Sequence, residues 1–330
     1  MNFVERQRQM AKQKQKKIVL PEGTEPRIVQ AAKILMDDGL AKEVVLLGKK
    51  EAIEAIGKKE NIDVSRFTLI DPTTSDLRET FTQDYYELRK HKGATLESAK
   101  EDILDTLRFG ALLLRNDKVD AMVAGAERTT GDVLVAGFTI VKTAPGVKYA
   151  SSCMVMDLPD KKWGKDGNMI FSDCATIPDP DVQQLAEIAI ASCESCKKFL
   201  DTTPVCAMLS FSTKGSASHP NVDKVIEALR IVKEKRPDLN VDGELQLDAA
   251  VVEEVGKKKA PGSLVAGKAN VLIFPDLQAA NIGYKLVQRF GNAGAYGPFM
   301  QGFAKPISDL SRGATVTDVV NTCAVLLAQS

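Results

Sequence analysis

The chain has 330 residues, with 44 Lys or Arg balanced by 44 Asp or Glu, so its formal net charge at pH 7 is zero. Its 44% hydrophobic and 27% charged residues are typical of a soluble globular protein, and the neutral balance argues against nucleic acid as the main partner. The chain has no apolar run of about 18 residues, so no membrane span is predicted. The basic N-terminus lacks the apolar region of a secretory signal, so we expect a cytoplasmic protein that does not enter the membrane.

Short apolar runs alternate with helical periods through most of the chain. Lys17–Leu20 is an apolar run ended by Pro21 and Gly23, and Pro26 opens a helical period with Gly39 at its C-cap. Similar runs predict further strands at 44–47, 67–70, 121–124, 205–211 and 271–274. This alternation predicts an α/β protein with mainly parallel sheets covered by helices. At roughly 100–200 residues per domain, the length suggests two domains.

One stretch breaks the alternation. Apolar residues at 151–158 and 169–172 flank the polar connection PDKKWGKDGN, which contains the only tryptophan, Trp163. Two such runs joined by a turn-rich connection predict an antiparallel hairpin. The hairpin is either an edge that pairs with another subunit or an ordinary solvated extension.

The cysteines and histidines favour no redox, metal or triad chemistry. The six Cys are too sparse for a disulfide scaffold, and we expect reduced thiols. Cys193-x-x-Cys196 falls late in a helical period, where the helix dipole is expected to raise the thiol pKa and leave both thiols inert. His91 and His219 belong to no metal-binding or nucleophile-elbow motif, so neither a metal nor a Ser-His-Asp triad is expected.

A near match to a phosphate-binding loop is rejected. GSLVAGKA at 262–269 follows the pattern GxxxxGK[ST] except that Ala269 has no hydroxyl for a magnesium ion. The segment also precedes a predicted strand, whereas a true P-loop joins a strand to a helix. No GxGxxG follows any predicted strand, which disfavours dinucleotide binding.

The segment before the C-terminal helical period is a better candidate for phosphate. Ser311, Arg312 and Gly313 place a hydroxyl, a guanidinium and a flexible residue just before a helix N-terminus, where free N–H groups favour an anion. Asp318 adds a carboxylate to the first turn. Thr315-x-x-Asp318 also fits a capping box, so Asp318 either performs chemistry or only caps the helix.

Two further loops follow predicted strands and contain polar residues suited to an anionic ligand. LSFSTKGSASH at 209–219 includes Lys214 and Gly215, and ERTTGD at 127–132 includes Thr130. Ligands of parallel sheets bind at the carboxyl ends of the strands, which is where these loops are predicted.

These blocks carry a family resemblance. GPFMQGFAKP followed by DLSRGATVTD resembles the C-terminal signature of the phosphate acetyltransferases (phosphotransacetylases), a family that also includes phosphate butyryltransferases. The resemblance continues, in order and over nearly the whole chain, in LPEGTEPR, ELRKHKG, FSDCATIPDP, LSFSTKGSAS, DGELQLDAA and FPDLQAANIGYKLVQR.

The resemblance implies a two-domain fold like that of isocitrate and isopropylmalate dehydrogenases, with the active site in the interdomain cleft and a homodimeric assembly. The chain would return to its first domain at the C-terminus. With the Gly- and Pro-rich stretches 143–146 and 291–306 as hinges, we expect domain I to comprise 1–146 and 297–330, and domain II to comprise 147–296.

The resemblance also implies the reaction, which is reversible transfer of acetyl between CoA and inorganic phosphate with no metal or nucleotide cofactor. By motif, Ser311, Arg312 and Asp318 are the catalytic group. Asp318 would take the proton of the CoA thiol, Arg312 would hold the phosphate, and Ser311 would hydrogen-bond the reacting groups. The residues expected to bind CoA, acetyl phosphate or phosphate are Arg27, Arg89, Thr130, Lys214, Gly215 and Arg289.

The chain departs from the family at one motif. Many relatives read T-x-D-x-L-R after the strand that corresponds to AMVAG, but here Thr130 begins the motif and Val135 stands where the arginine is expected. Either Arg128, seven residues upstream, supplies the charge from the same loop region, or the site works with one cation fewer. The departure bears on the CoA or phosphate contacts and leaves the acyl-chain preference open.

Three alternatives remain at the sequence level. A phosphate acyltransferase for a longer chain, such as butyryl, differs only in the acyl pocket. A hydroxyacid dehydrogenase is suggested by the fold alone, which is a weak argument for function. A non-catalytic binding protein would not need Ser311, Arg312 and Asp318 together.

Overall fold

The computed structural model describes residues 2–330 and divides the chain into two compact units. The first comprises Met1–Val147 with Phe303–Ser330, and the second comprises Lys148–Gly302. The first unit is therefore discontinuous in sequence. The return to it falls later than the expected position 297, because the strand that ends at Gln301 stays paired with a strand of the second unit.

The sheet of the first unit is parallel and has the order β3-β2-β1-β4-β11. β1 lies between β2 and β4, with Ile18 opposite Val44 on one side and Ala121 on the other. The strands are β1 Lys17–Leu20, β2 Glu43–Leu47, β3 Thr68–Ile70, β4 Ala121–Ala124 and β11 Ile307–Asp309. Their almost uniformly buried residues explain why they read as continuous apolar runs.

Helices surround the sheet of the first unit. They are α1 Phe3–Lys14, α2 Pro26–Asp37, α3 Lys50–Glu60, α4 Arg78–Arg89, α5 Leu96–Asp102, α6 Thr106–Arg115, α7 Thr130–Ala136 and α13 Val316–Gln329. α13 is buried from Val319 onward and packs against α1, α2 and β4. Within residues 2–330, no helix is both long enough and apolar enough to cross a bilayer.

The sheet of the second unit is mixed. Its order is β10-β5-β6-β9-β7-β8, in which β5 is antiparallel to both neighbours and the remaining pairs are parallel. The predicted hairpin is confirmed as the β5–β6 pair, with Cys153 opposite Ser172. The strands are β5 Ser151–Asp157, β6 Asn168–Ser172, β7 Val205–Leu209, β8 Asn240–Leu245, β9 Val271–Ile273 and β10 Gly294–Gln301.

The helices of the second unit are α8 Val182–Leu200, α9 Pro220–Lys235, α10 Leu247–Val251, α11 Glu253–Lys259 and α12 Leu277–Phe290. Cys193 and Cys196 are buried, unbridged thiols of α8. Burial raises the pKa of Cys196 to about 12, so this thiol is protonated at neutral pH. The predicted direction is confirmed for Cys196, and removal from water is its largest cause.

The P-loop look-alike is a turn that packs against α10. The Gly267 N–H donates to the Ala249 carbonyl at 2.8 Å, and the segment leads into β9. Gly267 has φ +81°, and a Cβ there would approach the Glu253 Cα to 2.5 Å. The glycine therefore serves close backbone packing, and the predicted order, in which the segment precedes a strand, is confirmed.

Candidate active site

Loops from three neighbouring strands of the first unit meet at one edge of its sheet. β4 lies between β1 and β11, and all three run in the same direction, with Asp309 opposite Ala124. The carboxyl ends of parallel strands meet at the same edge, where α/β proteins bind ligands. The loops after β1, β4 and β11 contain Glu22, Thr130 and Ser311.

Glu22 organises the loop after β4. Its carboxylate is buried, and it accepts hydrogen bonds of 2.8–2.9 Å from successive backbone N–H groups of Gly125, Ala126, Glu127 and Arg128. Charge-assisted bonds of this kind are stronger than neutral ones, so the carboxylate fixes the backbone of the loop. No motif in the sequence marks Glu22 for this role.

Arg27 ties the same loop to the C-terminal segment. Its Nη1 donates to the carbonyl oxygens of Arg312 at 2.9 Å and Ala314 at 2.7 Å, and its Nη2 donates to the Ala126 carbonyl at 3.0 Å. Its Nε donates to Glu25, which raises the pKa of the guanidinium. Within the described chain these contacts use four of the five N–H donors of an arginine. Arg27 therefore supports the loops from within, and its predicted contact with CoA has one donor left.

The segment from Ser311 to Gly313 is exposed on that support. The Ser311 carbonyl accepts the Ala314 N–H at 2.8 Å, and Ser311 Oγ accepts the Gly313 N–H at 3.3 Å. The Arg312 backbone is held by Arg27, while its guanidinium makes no hydrogen bond or ion pair to any residue in 2–330. An unpaired guanidinium on a fixed backbone is suited to bind phosphate oxygens in a bidentate manner.

Asp318 forms the capping box that the sequence predicts. Its Oδ2 accepts the Thr315 N–H at 2.9 Å and the Thr315 hydroxyl at 2.8 Å, and the Asp318 N–H donates to Thr315 Oγ1 at 3.2 Å. The carboxylate is exposed, and its Oδ1 has no partner among the described residues. Capping therefore fixes the orientation of the carboxylate and leaves one oxygen for proton transfer.

Thr130 contacts a buried carboxyl group that the sequence interpretation missed. Thr130 Oγ1 donates to Asp309 Oδ2 at 2.5 Å. Asp309 is 2% exposed, and its Oδ1 has no hydrogen-bond partner within 2–330. Burial, with the nearby Glu22 carboxylate, raises the Asp309 pKa to about 6 against the opposing effect of the Thr130 hydrogen bond. β11 is only Ile-Ser-Asp, so no apolar pattern in the sequence marked Asp309.

Two of the predicted residues of the second unit, Lys214 and Gly215, are engaged by residues of β8. Lys214 Nζ donates to Asp242 Oδ1 at 2.6 Å and to the Gly243 carbonyl at 2.7 Å. The Gly215 N–H donates to Glu244 Oε1 at 2.7 Å. A ligand at this loop would have to displace these carboxylates from Lys214 and Gly215.

The other predicted arginines are helical residues. Arg89 is the half-buried last residue of α4. Burial lowers the pKa of Lys142, and the positive charge of Arg89 lowers it further. Arg289 is exposed in the last turn of α12 in the second unit.

Arg128 does not provide a free charge in place of the missing family arginine. Its Nη2 lies 2.5 Å from Asp105 Oδ2 in an ion pair within the first unit. Val135, where relatives have the arginine, is a half-exposed residue of α7. The motif therefore keeps its helix but lacks its cation.

Comparisons with known proteins agree with this architecture and with the order of the motifs. The model of the phosphate acetyl/butaryl transferase family matches residues 2–327. A phosphate acetyltransferase of Treponema pallidum is 51% identical, with 100% of this chain and 99% of the relative covered. A phosphate acetyltransferase of Clostridium acetobutylicum is 50% identical over 100% of this chain and 99% of the relative.

Solved structures agree with the family match. A phosphotransacetylase from Streptococcus pyogenes matches with a TM-score of 0.93 and 41% identity, over 99% of this chain and 97% of that one. The chain belongs to the phosphate acetyl/butaryl transferase family. A structure from Salmonella typhimurium assigned to 4-hydroxythreonine-4-phosphate dehydrogenase matches at 14% identity and a TM-score of 0.51, which extends the likeness to dehydrogenases in fold alone.

Proposed function

We propose that the chain is a phosphate acetyltransferase, which interconverts acetyl-CoA plus phosphate and acetyl phosphate plus CoA. The observation that carries this proposal is the exposed, unpaired Arg312 guanidinium, held on a backbone that Arg27 fixes and followed by the capped Asp318. Membership of the family and the close relatives named phosphate acetyltransferase support the same reaction.

The chemistry begins with the CoA thiol. A thiol with its ordinary pKa, about 8.5, is only a few per cent ionised at pH 7, so a positioned base accelerates its attack by about 10²–10⁴-fold. Asp318 is the proposed base, because its Oδ1 is unoccupied while Oδ2 is anchored to Thr315. The thiolate then attacks the carbonyl carbon of acetyl phosphate.

Arg312 and Ser311 act on the leaving phosphate. As the bond between the carbonyl carbon and the bridging oxygen breaks, negative charge grows on the phosphate. A guanidinium already in place stabilises that charge with little reorganisation. The Ser311 hydroxyl accepts the Gly313 N–H and keeps its own hydrogen for a donor bond to the reacting oxygen.

The remaining expectations follow from this reaction. CoA, acetyl phosphate and phosphate are the substrates, and the transfer needs no metal, nucleotide or other cofactor. We propose that the protein is a cytoplasmic homodimer of acetate metabolism. The longer-chain acyltransferase and the hydroxyacid dehydrogenase are not favoured, because the closely similar relatives are named phosphate acetyltransferase.

A direct assay tests the proposal. The full chain is incubated with acetyl-CoA and phosphate in the presence of a metal chelator, and acetyl phosphate and free thiol are measured. We expect equal amounts of both products, no turnover without phosphate, and slower turnover of butyryl-CoA. Arg230→Ala serves as a matched control for Arg312→Ala, because Arg230 is an exposed arginine of α9 in the other unit. Turnover that needs a metal or a pyridine nucleotide would contradict the proposal.

A further inference from the structure

Asp309 is a buried acid without an evident structural task. It ends β11, two residues before Ser311, and it lies against the first residue after β4. A Cβ on Gly125, which has φ +108°, would come within 2.3 Å of Asp309 Oδ1, so only glycine permits this approach. The fold thus brings the carboxyl group close to the loop of Thr130 at the expense of an unpartnered oxygen.

The contact with Thr130 is not needed to begin α7. Thr129 is the N-cap of that helix, and it forms a complete capping box with Asp132. Thr130 follows the cap, and its hydroxyl bond to Asp309 runs between distant parts of the chain. Helix capping therefore does not explain the pair.

The direction of the hydrogen bond decides what Thr130 can offer to a ligand. A hydroxyl group has one hydrogen and two acceptor lone pairs. The Thr130 hydrogen is used toward ionised Asp309, which can only accept. Thr130 is half-exposed, so its lone pairs remain for a donor outside the protein.

We propose that Asp309 is a positioning residue that holds the Thr130 hydroxyl as a hydrogen-bond acceptor toward the substrate group that carries the transferable proton. The proposal rests on the proposed function. In the transfer from acetyl phosphate to CoA, the S–H bond of CoA breaks and the released phosphate gains an O–H bond, so one proton passes from sulfur to oxygen overall. Because the single S–H hydrogen of CoA passes to Asp318 in the proposed mechanism, the donor facing Thr130 is the P–OH group of phosphate.

The ionisation of Asp309 sets the direction of this bond. Thr130 of α7, Glu22 of the loop after β1, and the Leu310 N–H are the groups that act on Asp309, and of these only Glu22 is charged. Below the Asp309 pKa of about 6, the carboxyl group gains a hydrogen that it can donate to Thr130. Thr130 would then be free to donate toward the substrate, and the match with a protonated substrate group would be lost.

The test compares Asp309→Asn, Thr130→Val and Thr130→Ser with the wild type. The turnover number is measured from pH 5 to 9 in both reaction directions. We expect the wild-type turnover number to fall as pH drops through about 6. Asp309→Asn and Thr130→Val should lose this acid limb and lower turnover by about 10–100-fold, the equivalent of one charge-assisted hydrogen bond. Thr130→Ser retains the hydroxyl group and should keep both the acid limb and the wild-type turnover number.

The two directions identify the donor. A rise in KM for phosphate in the variants supports the P–OH group as the donor, and a rise in KM for CoA alone overturns this assignment. Asp132→Asn is the matched control, because it removes a carboxylate that only caps the same helix. It should lower stability but keep the acid limb.

Several outcomes overturn the proposal. A folded Asp309→Asn protein with wild-type turnover and an unchanged acid limb does so, as does loss of the limb in Asp132→Asn. If Asp309→Asn does not fold, retention of the limb in Thr130→Val has the same meaning. Carbon-13 NMR titration of Asp309 is independent of activity, and Thr130→Val should raise its pKa. An inactive wild type with this NMR shift would refute the proposed function and leave the hydrogen bond itself established.

Discussion

Two loops of similar composition have different roles in their units. The segment 311–313 of the first unit and the segment 212–216 of the second both follow a buried strand and combine hydroxyl groups, glycine and one cation. Arg312 is unpaired among the described residues, whereas Lys214 is held by Asp242 and by the Gly243 carbonyl. A cation in a polar loop is available to a ligand only when no carboxylate of the same unit lies within reach.

The support of the two loops differs in the same sense. Arg27 donates to backbone carbonyls of the first loop, so it fixes the chain without neutralising the Arg312 side chain. In the second loop, Glu244 accepts from the Gly215 N–H and from the Ser212 hydroxyl, so acidic side chains occupy the groups that could bind an anion. The first arrangement leaves its cation available to a ligand, and the second holds its cation within the fold.

Arg312→Ala tests the comparison most strongly. Removal of a group that stabilises transition-state charge typically costs about 10²–10³-fold in rate. Stability should change little, because the exposed guanidinium has no partner in the described chain. Turnover and thermal unfolding are measured together. Normal turnover would show that exposure without pairing does not identify the catalytic arginine.

Arg27→Ala tests the support behind the first loop. The change leaves the carbonyl oxygens of Ala126, Arg312 and Ala314 without their donor. At about 1.5–3 kcal/mol for a hydrogen bond to a charged group, we expect a loss of about 3 kcal/mol or more in unfolding free energy, together with lower turnover. Denaturant unfolding and steady-state kinetics measure the two effects. A raised KM for CoA at unchanged stability would instead indicate a direct ligand contact.

Asp309→Asn should change how stability depends on pH. The Asp309 pKa is raised in the folded state to about 6. Between about pH 4 and 6, the folded protein therefore keeps a proton on Asp309 that the unfolded chain has released. This group therefore favours folding at low pH, and its contribution is lost as pH rises through 6. The contribution of Asp309 to the free energy of unfolding at low pH exceeds its contribution above pH 6 by about 2–3 kcal/mol. Urea unfolding at pH 5 and pH 7.5 should show a smaller change with pH in Asp309→Asn than in the wild type, and equal changes would refute the assigned ionisation.

Lys214→Met gives the smallest effect and tests the second loop. Loss of the ammonium group leaves Asp242 with the Ser263 hydroxyl, the Gly243 N–H and the Lys233 ammonium group at 3.8 Å. We expect a destabilisation of about 1 kcal/mol, typical of a partly exposed ion pair, while KM for phosphate changes little. Unfolding and phosphate titration measure this. A large rise in KM for phosphate with normal stability would place Lys214 in contact with the ligand and remove the contrast between the loops.

Features that depend only on local sequence were predictable. The strands β1 and β4, the β5–β6 hairpin and the capping box at Thr315 follow from periodicity, turn composition and a three-residue spacing. The position of Ser311 and Arg312 before a helix is also a local signal. The end of the second unit was less accurate, because the pairing of β10 with β5 joins residues far apart in sequence.

The supporting shell of the site was not predictable in this way. Glu22 looks like an ordinary acidic residue after a strand, and its role depends on N–H groups about a hundred positions further along the chain. Arg27 and Asp309 likewise acquire their partners only when the ends of parallel strands meet. Arg27 was therefore predicted as a ligand contact, and Asp309 was given no role.

The carboxylate of Glu22 has a further consequence for selectivity. Consecutive amide hydrogens that converge on one point form a receptor for small oxyanions. In this protein the receptor after β4 is already filled by an internal side chain. Inorganic phosphate therefore cannot bind at these amides, and we expect it to bind at the Arg312 guanidinium instead. Truncating the Glu22 side chain would open a competing anion-binding site, at which sulfate or phosphate would act as a dead-end inhibitor.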